Sequence, residues 1–73
     1  MRYKLQPKRL DGGGMMLFDL LLAGKKVSNV YFNTRGYVFE SGIPMPNGQN
    51  LGLPEMSLSA VRKELAMLNR EFK

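Results

Sequence analysis

The 73-residue sequence predicts an α+β domain: a three-stranded antiparallel meander with one C-terminal helix packed on one face. Two patterns carry that prediction. Three short apolar runs, 15–23, 27–33 and 37–40, are separated by turns that contain Gly. Further on, Leu58, Val61, Leu65, Leu68 and Phe72 recur at spacings of 3, 4, 3 and 4, which places them on one side of a helix. Length bounds the answer. A chain this short forms one domain with one core, and ordering it costs roughly 1.5 kcal/mol per residue, so nearly every large apolar side chain is needed for packing.

In order along the chain, residues 2–10 alternate loosely, with Tyr3 and Leu5 on one side and Arg2, Lys4 and Gln6 on the other. Pro7 lacks a ladder donor, so the segment is either a fourth, edge strand or a basic arm. Asp11-Gly12-Gly13-Gly14 reads as a hinge. For the first hairpin of 15–40, a three-residue loop Gly24-Lys25-Lys26 sets Ala23 opposite Val27, which places Leu20 opposite Val30 and Phe18 opposite Phe32 on the same side of the sheet. The turn Asn33-Thr34-Arg35-Gly36 then sets Tyr37 opposite Phe32 and Phe39 opposite Val30.

Residues 41–56 hold Gly42, Pro44, Pro46, Gly48, Gly52 and Pro54, so no regular structure is expected there. The same stretch carries Ile43, Met45, Leu51, Leu53 and Met56, and either lies over the core as a lid or touches a partner. A small core needs the area, which favours the lid. Ser57 or Ser59 caps the helix over 57–73, whose apolar stripe is expected to pack on the sheet.

Composition narrows the chemistry. The chain has neither cysteine nor histidine, which removes disulfides, Cys/His zinc sites and thiol or imidazole catalysis; no metal and no cofactor are expected. No run approaches the ~18 apolar residues of a membrane span. The interrupted apolar segment after Arg2 and Lys4 lacks a cleavage signal, so a cytoplasmic location is expected. A P-loop needs Gly five residues before Gly-Lys-Ser/Thr, but Asp19 stands there before Gly24-Lys25, and Lys26 follows. A dinucleotide fingerprint fails because Leu17 stands where the third Gly should follow Gly12 and Gly14. Of six carboxylates, only Asp19 and Glu40 fall on strands, and no nucleophile–base pair accompanies them. A binding protein is expected, not an enzyme.

Two surfaces are candidates for binding. The sheet face away from the helix takes Leu17, Asp19, Leu21, Val27, Asn29, Tyr31, Asn33, Val38 and Glu40. Residues 1–10 and the long loop cover this half-apolar face, or it awaits a partner. Leu17, Leu21, Val27 and Tyr31, with Met45 of the loop, are the candidate protein-binding residues. The second surface is basic. The net charge of +5 lies wholly in residues 1–36, where Lys4, Lys8, Arg9, Lys25, Lys26 and Arg35 are the candidate nucleic-acid contacts. Three-stranded sheets backed by a helix occur in integrase arm-binding domains, where basic residues sit on the sheet or its loops. Placement of this basic set on one exposed face would favour nucleic acid; scatter would count against it. A structural subunit of a larger assembly ranks third.

With 15–40 as a meander and 57–73 as a closing helix in a basic, cysteine-free chain, the whole resembles small phage-encoded proteins that bind host RNA polymerase. The likeness is one of format, and no residue role carries over. It implies a regulator that inhibits promoter-dependent initiation and suppresses termination. A protein-binding regulator is therefore the first expectation and a DNA- or RNA-binding domain the second.

Overall fold

A computed structural model describes residues 2–10, 12–45 and 47–71. Four strands, β1 (Tyr3–Leu10), β2 (Met16–Leu22), β3 (Lys25–Asn33) and β4 (Gly36–Phe39), form an antiparallel meander in the order β1-β2-β3-β4. A two-strand ladder, β5 (Ile43–Pro44) with β6 (Asn50–Leu51), and the helix α1 (Leu58–Glu71) follow. The fold is α+β, as the periodicities predict. Residues 3–10 supply the fourth strand. Pro7 is accommodated because β1 lies at the sheet edge, and the ladder slips by one residue between Pro7 and Arg9.

The core lies on one side of the sheet. Phe18, Leu20, Val30, Tyr37 and Phe39 of the meander meet Val61, Leu65 and Leu68 of α1, all buried. Phe18 and Phe32 each set a ring edge-on to Tyr37, with centroids 5.7 Å and 5.3 Å away. Ser57 caps α1 by accepting the Ala60 N–H at 3.2 Å on its hydroxyl. Phe72, the last member of the helical stripe, lies outside the described residues.

The loop over 41–56 is a lid. Ile43 is fully buried, and Met45, Leu51, Leu53 and Met56 pack against the same core. The expectation of no regular structure is corrected here. Ile43 pairs with Leu51 and Pro44 with Asn50, because a turn bonded from Met45 N to Gln49 O (2.7 Å) brings the two arms together. Tyr3 anchors this lid from β1, its hydroxyl donating to the Pro44 carbonyl. At the other sheet edge, Met56 exchanges two main-chain bonds with Tyr37, at 2.7 and 3.0 Å.

The first hairpin differs from the predicted register. It closes through the two residues Ala23-Gly24, both at positive φ (54° and 82°), with Leu22 opposite Lys25. A bulge between Leu20 and Leu21 on one side and Lys26 and Ser28 on the other absorbs Val27. Phe18 consequently faces Val30, and Leu20 faces Ser28. Beyond the bulge the combined shift is two residues, an even number, so Phe18, Leu20 and Val30 keep their predicted side; Val27, inside the bulge, does not. The second hairpin has the predicted register, Phe32 with Tyr37 and Val30 with Phe39.

Three expectations follow. Ala23→Asn relieves a left-handed alanine and creates the preferred Asn-Gly turn; urea unfolding should show a gain of about 1 kcal/mol. At Gly36, φ is 143° and a Cβ would fall 2.6 Å from the Met56 carbonyl oxygen, so Gly36→Ala should lower stability by about 1–3 kcal/mol in the same assay. Burial raises the Tyr3 hydroxyl above its ordinary pKa of 10.0. The folded state therefore holds that proton more tightly than the unfolded chain. The resulting stability is present below pH 10.0 and lost as pH rises through the folded-state value. Tyr3→Phe should cost about 1 kcal/mol near neutrality and flatten the alkaline fall in melting temperature.

Candidate functional site

The sheet side opposite the core is left open. Residues 3–10 extend the sheet rather than covering it, and both the lid and α1 pack on the other side. Strand register arranges the open face in three rows. Lys4, Leu21 and Lys26 align across β1, β2 and β3. Gln6, Asp19 and Asn29 form the middle row, which Glu40 completes by donating its N–H to the Asn29 carbonyl at 2.9 Å. In the third row Arg9 pairs with Leu17 on one side, and Tyr31 pairs with Val38 on the other.

The middle row is a connected polar network. Asp19 Oδ1 receives two ammonium groups, Lys8 Nζ at 3.3 Å and Lys26 Nζ at 3.4 Å. No aligned hydrogen bond accompanies these ion pairs at Oδ1, so charge alone compensates its burial. Lys8 Nζ also donates to Asn29 Oδ1 at 3.3 Å, and Asn29 Nδ2 donates to Glu40 Oε2 at 2.6 Å. The network runs across the face from β1 to Glu40, the residue after β4. Its lysines are half exposed, so water and salt screen the ion pairs and their contribution to stability is small.

The arrangement sorts the predicted site residues. Leu17, Leu21 and Tyr31 share the open face with Val38, and Tyr31 is exposed. Val27 and Met45 are placed apart from these: both are half-buried and pack against the core, Val27 at the bulge and Met45 in the lid. Of the basic set, Lys4, Lys8, Arg9 and Lys26 lie on the open face. Lys25 is opposite Leu22, on the core side of the hairpin end, and Arg35 is in the turn at the far end of β3. Among the described residues no carboxylate pairs with Lys4 or Arg9.

Sequence reasoning missed a second feature, a groove of about 320 Å³ between β1 and α1, lined by residues that include Leu5, Arg62, Ala66 and Asn69. Pro7 signals the edge strand, but nothing in the periodicity tells which end of the helix lies beside it. Among the described residues no helix is long and apolar enough to cross a membrane, and no three carboxylates gather as a metal site would require. Comparison with family models, curated proteins and solved structures finds no match to this chain.

Proposed function

We propose that the chain is a non-enzymatic binding protein that docks a protein partner on the open sheet face and regulates transcription through that contact. One observation supports the reading most: a face that no other element covers carries Leu21 between Lys4 and Lys26 in one row, and Leu17, Tyr31 and Val38 with Arg9 beyond the polar middle row. Apolar and tyrosine contacts beside polar and charged groups are common in protein interfaces. Host RNA polymerase, with inhibition of initiation, is the specific partner and activity that the resemblance of format implies.

Nucleic acid is the second reading, and a specific observation favours it: four of the six candidate cations share that face with an exposed tyrosine. It ranks below the first because Asp19 neutralises part of the charge on Lys8 and Lys26, and Glu40 on the same face repels phosphate. A single exposed aromatic on that face is also few for stacking on bases.

The test is capture of the tagged protein's partners from bacterial lysate, with and without nuclease, followed by affinity measurement on variants. RNA polymerase subunits should survive nuclease, and Tyr31→Ala or Leu21→Ala should weaken their binding by more than tenfold, about 1.4 kcal/mol or more. Recovery of nuclease-sensitive material only, abolished by Arg9→Glu with Lys26→Glu and steeply salt-dependent, would replace this reading with the second. If all four substitutions leave both kinds of binding unchanged in a folded protein, the open face is not the site.

A further inference from the structure

We propose a second binding site, at the sheet edge and sharing only Lys4 with the open face: the groove between the β1 edge and α1 takes an extended acidic peptide segment, which pairs with the main chain of Leu5.

Antiparallel ladders turn alternate residues inward and outward. Ala23 N donates to Arg2 O at 3.1 Å, which puts Arg2, Lys4 and Gln6 in the set bonded to β2. Tyr3, Leu5 and Pro7 therefore point their main-chain groups away from the sheet. Two of these three positions are closed. Asn69 of α1 imitates a neighbouring strand at Tyr3, its Oδ1 accepting the Tyr3 N–H at 2.6 Å and its Nδ2 donating to the Tyr3 carbonyl at 3.0 Å. Pro7 has no N–H to offer. Leu5 alone keeps an outward donor and acceptor together, and they face the groove.

The occupant follows from the walls. A main-chain donor and acceptor side by side on a strand edge match another peptide main chain, as in strand addition to a sheet edge. Leu5, Leu65 and Ala66 give an apolar floor beneath α1, while Lys4 and Arg62 bring positive charge and no carboxylate lines the groove. A partner residue opposite Leu5 would turn its side chain toward that floor, and its two neighbours would turn toward Lys4 and the open-face side. The preferred segment is thus a small apolar residue flanked by Asp or Glu. A second copy of this chain fits poorly, because β1 carries Lys4, Lys8 and Arg9 and no acidic residue, so edge-to-edge pairing would set like charges together. Tyr3 and Pro7 bracket the site, so recognition is confined to a few residues and does not template open-ended sheet growth.

The experiment is an NMR titration of the full chain with a short blocked peptide, valine at its centre and glutamates on both sides. The expected result is a shift and slowed exchange of the Leu5 amide, with shifts also at Ala66. Lys4→Glu should weaken binding about tenfold, because the flanking glutamates turn toward Lys4. N-methylation of the central valine should abolish binding, and this control leaves the protein untouched should the variant fold poorly. Several outcomes would overturn the proposal: equal binding of a lysine-flanked peptide, an unprotected Leu5 amide, or shifts at Leu17 and Tyr31 instead. Concentration-dependent protection of Leu5 in the protein alone would make the occupant a second copy and overturn it as well.

Discussion

The apolar layer on one side of the sheet is larger than a single short helix can seal, and the rest of the structure answers to that shortfall. α1 brings Val61, Leu65 and Leu68 to the layer, over a sheet that presents Tyr3, Phe18, Leu20, Val30, Tyr37 and Phe39. The remaining area is closed by the segment after β4, where Ile43 is wholly buried and Met45, Leu51, Leu53 and Met56 pack around it. In a domain of this size the fraction of surface that folding buries is low, so a loop must serve as a wall of the core. Tyr3 joins the two halves of that wall, since its ring is buried, its hydroxyl holds Pro44 and its main chain is held by Asn69 of α1.

The edges of the sheet show the same economy. An open strand edge invites pairing with other chains. At β4 the Met56 main chain closes Tyr37, and Gly42 N bonds to the Phe39 carbonyl at 3.2 Å. The close approach of Met56 explains why Gly36 has no side chain, since the backbone of Met56 occupies the space that a Cβ would need. At β1 the closure is partial: Asn69 and Pro7 leave one outward residue between them. The surfaces that the core does not consume are therefore the open face and the interrupted edge.

Much of this was legible in residue spacing, for a physical reason. Period-2 and period-3.6 patterns report which side of an element faces the core, and burial forces are large enough to enforce that side. The stripe Leu58, Val61, Leu65, Leu68 is inward-facing in the fold as its spacing says. The second hairpin kept its register because only one alignment puts Phe32 and Val30 beside Tyr37 and Phe39. The first hairpin did not, since a turn at Ala23-Gly24 with a bulge at Val27 satisfies the same facing rule as a wider loop. Periodicity cannot distinguish two alignments that differ by an even number of residues.

The sequence by itself determined an α+β meander with a closing helix, the side on which Phe18, Leu20, Val30 and Val61 are buried, and the concentration of positive charge in the first half. Those properties follow from local periodicity and composition. Only the tertiary structure decided that residues 3–10 extend the sheet and that Ile43, Met45, Leu51, Leu53 and Met56 pack onto the core rather than onto the open face. It also decided that Lys8, Asp19, Lys26, Asn29 and Glu40 join into one network. Each of these depends on contacts between positions far apart in the chain. Their geometry is set by how the small core must be closed, a constraint that no local pattern records.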